Sequence, residues 1–92
     1  MSKSGKSKFD MEVINLVKKK RESLNLTQDD LATYLDVHRS YIGQVESPKY
    51  KSKYNLNQLN RLAFEMGCSP KEFIPEKASN EKVISGRRKQ KK

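Results

Sequence analysis

Apolar residues recur every three or four positions in several separate stretches of this sequence, and polar or small residues divide these stretches. Such spacing places the apolar side chains on one face of a helix. The first stretch follows Phe9, with Asp10 as the expected N-cap. Consecutive basic residues lie at its C-terminal end, where the helix dipole favours positive charge. The pattern predicts a first helix over residues 10–22.

Two short apolar stretches follow, with a tight break between them. Thr27 is an expected N-cap, and the aspartates after it lie in a first helical turn, where negative charge is favoured. We therefore predict a second helix over residues 28–35 and a third over 39–46. Pro48 ends the third, because proline cannot continue a helix interior. The apolar positions match a helix-turn-helix, and they are Leu31, Ala32, Leu35, Val37, Ile42 and Val45.

The C-terminal half predicts two further helices. Asn55 or Asn57 begins a fourth helix, and Gly67 ends it, since glycine readily adopts the left-handed conformation of a C-terminal cap. A short fifth helix begins at a capping box that starts with Ser69 and has proline at the first helical position. No stretch shows convincing strand character. The predicted fold class is all-α, a bundle of five helices.

Length and composition restrict the classes of function. The chain has 92 residues, of which 34% are hydrophobic, enough for one domain with a small core. No apolar run approaches the roughly 20 residues that span a bilayer, and we see no secretory signal, so we expect a cytoplasmic protein without a membrane partner. The single cysteine Cys68 and the single histidine His38 cannot build a structural zinc site. With no Gly-rich phosphate loop and no nucleophile–base set, we expect no enzyme, no catalytic residues, no metal and no cofactor.

The positive charge is concentrated at the two ends of the chain. The net charge is +9, which is typical of nucleic-acid-binding proteins. Residues 9–76 contain ten basic and ten acidic residues, so the whole excess lies in residues 1–8 and 77–92. We interpret these flanks as a disordered basic arm and a disordered basic tail around one DNA-binding domain, residues 9–76. Charge alone is weak support, because basic tails also occur on proteins that bind ribosomes, RNA or anionic lipid.

The second and third predicted helices carry a specific set of residues at fixed spacing, which are Thr27, Gln28, Leu31, Ala32, Val37, Ile42 and Glu46. With this set the chain resembles the Xre/Cro-type family of phage repressors, from about Val13 to Phe73. The resemblance implies a lambda-repressor-like fold. It also implies a bacterial or phage transcriptional regulator, which we expect to be a repressor that binds double-stranded DNA at the nucleoid.

Two residues depart from the family pattern. Asp36 stands where the turn usually has glycine, so we expect some strain there. Pro48 follows the third helix where glycine is usual, and it has no N–H group for a phosphate contact.

The resemblance also implies which residues meet DNA. The third helix is the recognition helix in the major groove, where Arg39 suits a guanine, Gln44 suits an adenine and Gly43 leaves room for a thymine methyl or the backbone. The base-reading residues are therefore Arg39, Ser40, Gly43 and Gln44. Contacts to phosphates position the domain, and we expect them from Gln28, His38, Tyr41, Ser47, Lys49, Lys51, Lys53 and Tyr54.

Two of these residues have a second interpretation, and two further residues have a structural role. We take His38 as a turn or cap residue near a phosphate. For Tyr41, the alternative is that it packs at the edge of the core. The resemblance assigns Arg21 and Glu46 to a partly buried structural ion pair between the first helix and the end of the third, away from DNA.

Partners and alternative functions stay open in the sequence. The resemblance implies a two-fold homodimer, with the fifth helix and the residues after Ile74 as its surface. An antitoxin that represses its own promoter would have the same fold and would hold a toxin as a protein partner. A non-specific basic protein that binds RNA or ribosomes through its tails is the third possibility, although no RNA-recognition motif is present.

Overall fold

Each α-helix in the described part of the chain begins directly after a residue whose side chain accepts a hydrogen bond from the first turn. The computed structural model describes residues 5–81. The elements in chain order are α1 (Lys8–Ser23), α2 (Gln28–Leu35), α3 (Arg39–Glu46), α4 (Leu56–Met66) and a 3₁₀ helix (Pro70–Phe73). Residues 5–81 contain no strand, and the all-α class is confirmed. No helix in this described range is long and apolar enough to cross a membrane.

The fifth predicted helix is a single 3₁₀ turn, so the predicted count of five α-helices is slightly off. Ser69 starts the turn as expected, but its hydroxyl accepts from the Lys71 N–H at 3.1 Å and not from Glu72, so the predicted capping box does not form. The turn ends at Phe73, two residues before Pro75. Proline disfavours helical geometry at the residue before it, and the element therefore cannot lengthen into an α-helix.

The boundaries of α2 and α3 are those the sequence predicts, whereas α1 begins earlier. Asp10 is not the N-cap of α1. Ser7 is the N-cap: its hydroxyl accepts from the Asp10 N–H at 2.9 Å, and the Asp10 carboxylate accepts from the Ser7 N–H at 2.9 Å. This reciprocal pair is a capping box, and it satisfies two peptide groups that an Asp10 cap would leave open.

Parts of the two predicted flanks contact the domain in the structure. Lys6 is buried, with 9% of its surface exposed. Glu81 accepts hydrogen bonds from the N–H groups of Lys8 and Phe9, each at 2.9 Å, so its carboxylate lies at the N-terminus of α1. Such a charge is favoured at that end of a helix. The rest of the predicted arm and tail, residues 1–4 and 82–92, lies outside the described residues.

The core lies where α2, α3 and α4 meet α1 and the 3₁₀ helix. Ala32 is 3% exposed where α2 packs on α3, and its small side chain suits a close crossing. The most deeply buried large side chains of the core are those of Phe73, Ile14, Leu31, Ile42, Leu62, Val17 and Val45. Burial of each such side chain contributes about 1.5–3 kcal/mol before entropy is counted, so a domain of this size depends on nearly all of them.

The turn between α2 and α3 requires a left-handed residue, and Asp36 supplies it with φ 58° and ψ 49°. The turn is closed by hydrogen bonds from the Asp36 N–H to Thr33 O at 3.2 Å and from the Val37 N–H to Ala32 O at 3.0 Å. An L-residue with a Cβ adopts this conformation at a cost that glycine avoids. The backbone strain expected in this turn therefore lies at Asp36.

A buried ion pair joins α1 to the end of α3. Arg21 donates from Nη2 to Glu46 Oε1 at 2.9 Å and from Nε to Glu46 Oε2 at 3.0 Å. Its Nη1 donates to Leu26 O at 2.9 Å. The two charged side chains are 11% and 5% exposed. Removal of one partner from such a pair leaves the other charge buried and unpaired.

Replacement of Asp36 with glycine should stabilise the domain. We expect Asp36→Gly to raise the free energy of unfolding by up to about 1 kcal/mol, because the left-handed strain is relieved while the unfolded chain gains some entropy. Urea unfolding measures the change. Asp36→Ala is the matched control, since it also removes the carboxylate but keeps the Cβ. Equal stability of the two variants would contradict backbone strain as the cause.

Loss of the Arg21 guanidinium should destabilise the domain strongly. We expect Arg21→Met to lower the free energy of unfolding by about 3 kcal/mol or more, because Glu46 would be left as a buried, unpaired carboxylate. Lys20→Met is the control. Lys20 pairs with Glu72 at 3.3 Å, with side chains 31% and 52% exposed, and such exposed pairs contribute at most about 1 kcal/mol. Similar losses in both variants would refute the special role of the buried pair.

Candidate nucleic-acid interface

The packing of α3 turns one of its faces outward. Ile42 and Val45 are fully buried, at 0% exposure, and they fix the helix against the rest of the bundle. Residues at positions i, i+1, i+4 and i+5 share one side of a helix, and the predicted base-reading residues have this spacing. Two of them are exposed and two are half-buried, and they are Arg39, Ser40, Gly43 and Gln44. The structure therefore brings all four together on one helix face.

The N-terminus of α3 is capped by His38. Its Nδ1 accepts a hydrogen bond from the Ser40 N–H at 3.1 Å and lies 2.9 Å from the Ser40 hydroxyl. Because Nδ1 accepts, the neutral ring carries its proton on Nε2 and can donate from there. His38 is therefore a cap residue with one ring N–H left for another acceptor, and its contact with a phosphate stays a prediction.

Gln28, the first residue of α2, lies across α3. Its Nε2 donates to Glu46 Oε1 at 2.9 Å, and a Cβ added at Gly43 would lie 3.7 Å from its Oε1. The Gln28 amide therefore lies next to the position that a side chain at residue 43 would occupy. A side-chain amide has two N–H donors, so Glu46 uses one and the second is the group that a phosphate would contact.

The loop after α3 presents lysines beside this face. Lys49, Lys51 and Lys53 are exposed, and the Lys49 N–H donates to the Ser47 hydroxyl at 3.2 Å. The Lys53 ammonium is 2.9 Å from Asp10 Oδ2 and forms an ion pair with it. Lys53 is thus committed to α1, and of the three lysines it is the least suited to a phosphate.

The pKa of Asp10 reflects that contact. Burial alone would raise the pKa of this carboxyl, but hydrogen bonds from Lys53 and Ser7 outweigh burial and place it below its usual range. Asp10 is therefore ionised near neutral pH and holds the loop against the start of α1.

The prediction of a phosphate contact from Tyr54 is wrong. Tyr54 is a core residue with 9% exposure, and its hydroxyl is buried without a hydrogen-bond partner among residues 5–81. Burial raises the pKa of this hydroxyl well above its usual range. Tyr54 follows basic residues of the loop, and its expected phosphate contact required an exposed side chain. The ring instead belongs to the core cluster, directly before Asn55, the N-cap of α4.

Tyr41 takes the alternative role, at the edge of the core. Its hydroxyl donates to Lys53 O at 2.8 Å and lies 3.1 Å from Gln58 Oε1. A phosphate can only accept hydrogen bonds, and the single hydroxyl hydrogen of Tyr41 is already used inside the protein. The structure therefore does not place Tyr41 among the residues available to DNA.

Sequence reasoning missed Lys6, which lies against the end of α3. Its ammonium donates to the carbonyls of Gln44 and Val45 at 3.1 and 2.8 Å, and to that of Ser47. No local signal marks such a contact, because the partners lie about 40 positions away in the sequence.

Comparisons with known proteins agree with this geometry. The family profile described as Helix-turn-helix matches residues 17–72, more than half of the 92-residue chain. No curated protein sequence matches the chain.

Two solved structures are similar. The restriction-modification controller protein C.AhdI from Aeromonas hydrophila is 25% identical with a TM-score of 0.59, and the match covers 70% of this chain and 94% of that one. An HTH_3 family transcriptional regulator from Vibrio cholerae is 26% identical with a TM-score of 0.59, and the match covers 71% of this chain but only 35% of that one. This chain thus corresponds to about a third of the Vibrio protein. The resemblance to the Xre/Cro-type family is confirmed, and the chain belongs to the helix-turn-helix family HTH_3.

Proposed function

We propose that this protein is a transcriptional repressor that reads a short double-stranded DNA operator through α3 in the major groove. The observation that carries the proposal is the single outward face of α3, on which Arg39, Ser40, Gly43 and Gln44 lie together. The family supports a DNA-binding regulator. We place its action in the cytoplasm, at the nucleoid, and assign it no enzymatic step.

The dimensions and chemistry of α3 suit the major groove. An α-helix with its side chains is about 10–12 Å in diameter, and the major groove, about 12 Å wide, admits one. Arg39 is exposed at the first helical position, where its guanidinium can donate twice to a guanine edge. Gln44 lies one turn further and suits an adenine, with Ser52 Oγ 3.4 Å from its Oε1.

Phosphate contacts would hold the domain in register around this face. We assign them to the free N–H of the Gln28 amide, to His38 Nε2, to Ser47 and to Lys49 and Lys51. These groups come from both ends of the helix-turn-helix, so they fix the angle at which α3 enters the groove. Lys53 has a lesser part because Asp10 neutralises it.

A homodimer follows from the small size of the reading surface, since two copies read two half-sites. Exposed apolar side chains lie on α4 and after the 3₁₀ helix: Leu56 is 78%, Phe64 73% and Ile74 41% exposed. Leu56 and Ile74 border the same groove, so we place the dimer surface there, which extends the surface expected from the sequence onto α4. Sedimentation of the free protein and of its DNA complex tests this assignment.

Substitutions of base-reading residues and of phosphate-binding residues should have different effects on DNA binding: the first should relax sequence preference, and the second should weaken binding to every duplex. Selection from a randomised duplex pool should yield a short motif, and Arg39→Ala and Gln44→Ala should each cost about 1–3 kcal/mol on it and relax one position. Lys49→Ala should weaken binding to all duplexes equally. It should also reduce the slope of log K against log salt by about 0.9.

Lys19→Ala is the control, because this exposed lysine lies on α1 and belongs neither to α3 and its loop nor to the proposed dimer surface on α4 and the 3₁₀ helix. It should change neither the motif nor affinity. A steep salt dependence with no enriched motif would contradict the proposal and would leave a non-specific basic protein.

A further inference from the structure

The C-terminus of α3 lacks the usual cap. Ser47, the C-cap, is extended, with φ −93° and ψ 132°, and Pro48 follows it. Neither residue adopts the left-handed conformation that normally satisfies the last carbonyls of a helix. The Ser47 N–H donates to Gln44 O at 3.2 Å, but an eight-residue helix has little intrinsic stability, so a further donor at its last carbonyls stabilises it.

Lys6 supplies that donor from the far end of the chain. Its Nζ donates to Gln44 O at 3.1 Å, to Val45 O at 2.8 Å and to Ser47 O. An ammonium has three N–H donors, so it can hydrogen-bond to these three carbonyls at the same time. Its positive charge also lies at the negative end of the α3 dipole, where it is favoured.

The position of Lys6 makes it an internal group. Its burial lowers the pKa of the ammonium, and the positive charge of Lys53 adds to this, whereas the carboxylate of Asp10 opposes both. A group that is 9% exposed and directed at carbonyls cannot reach a phosphate without breaking these hydrogen bonds. Lys6 can therefore affect DNA binding only indirectly, by its hydrogen bonds to the end of α3.

Residues next to Lys6 connect the N-terminal arm to α1 and to the basic loop after α3. Ser7 caps α1, and Asp10 of that capping box holds Lys53 of the basic loop. Gly5 lies beside the Lys51 stem, since a Cβ added there would be 3.4 Å from Lys51 Cγ. The arm thus joins the start of α1, the end of α3 and the loop that follows it.

We propose that Lys6 is a positioning residue for operator reading: it clamps the last turn of α3 and so fixes Gln44 and the loop after it relative to Arg39. The inference rests on the proposed function. It assigns to the basic arm an effect on specificity, in place of the general attraction to phosphates that its charge suggests.

The test compares Lys6→Met, Lys8→Met and Lys49→Met in the full chain. Lys8→Met is the matched control, because it removes the same charge two residues away from an exposed side chain. We expect Lys6→Met to lower the ratio of specific to non-specific affinity roughly tenfold, which is ~1.4 kcal/mol. Its salt slope should equal that of Lys8→Met. Lys49→Met should reduce the slope by about 0.9 and leave the ratio unchanged.

A second measurement does not involve DNA. In Lys6→Met, the amides of Ser47 and Tyr50, which donate to Gln44 O and Ser47 O at 3.2 and 3.4 Å, should exchange with solvent faster than in Lys8→Met. Binding is measured where circular dichroism shows every variant folded, so a loss of global stability cannot change the ratio. If Lys6→Met does not fold, Lys6→Arg replaces it. Its planar guanidinium cannot direct three donors at converging carbonyls, so the ratio should still fall, at unchanged salt slope.

The outcomes separate the two proposals. A wild-type protein that enriches no motif would overturn the proposed function together with this inference. A wild type that selects a motif, with equal ratios for Lys6→Met and Lys8→Met, would overturn the role of Lys6 alone. A salt slope reduced in Lys6→Met but not in Lys8→Met would also overturn it, because Lys6 would then be a phosphate contact.

Discussion

The Glu46 carboxylate of α3 organises the helix-turn-helix, because side chains from two other helices, α1 and α2, donate hydrogen bonds to it. Arg21 of α1 contacts both of its oxygens, and Gln28 at the start of α2 contacts one of them. Glu46 itself is the last residue of α3. A buried carboxylate is costly unless its hydrogen bonds are satisfied, so only arrangements that bring these three elements together are acceptable. The core defines a bundle, and this carboxylate fixes how α3 sits within it.

The outward face of α3 is consequently held from several sides. His38 closes its N-terminus and Lys6 its C-terminus, while Ile42 and Val45 anchor its underside. A short helix with this support presents its exposed side chains on a rigid base, which recognition of base edges requires. The mobility needed for adjustment is left to Arg39 and to the lysines of the loop, whose side chains are long and exposed.

Sequence reasoning succeeded where the signals are local. The limits of α2 and α3 follow from Thr27, Asp36 and Pro48, and the structure places them as predicted. The partners Arg21 and Glu46 came from the family resemblance, since their 25-residue separation gives no local signal.

The errors have physical causes of two kinds. For Asp10, the Ser-x-x-Asp spacing at positions 7–10 is a capping-box signal in the sequence, but a first helix predicted to begin at residue 10 leaves Ser7 outside it. For Tyr54 and Lys6, tertiary packing decided the outcome. A tyrosine within a basic stretch is buried, and a lysine within a basic arm caps a helix about 40 residues away. Patterns of charge describe the solvated chain, and they do not show which charged side chain finds buried carbonyls.

The charged residues of the two flanks also have structural roles in the domain. Residues 9–76 have balanced charge, so long-range attraction to a polyanion has to come from the flanks. Yet Lys6 of the arm is turned inward, and Glu81 at the start of the tail holds the N-terminus of α1. Among the described residues, the arm therefore meets the end of α3 through Lys6, and the tail meets the start of α1 through Glu81. Under the proposed function, a change at Lys6 should alter the geometry of α3 as well as the total charge.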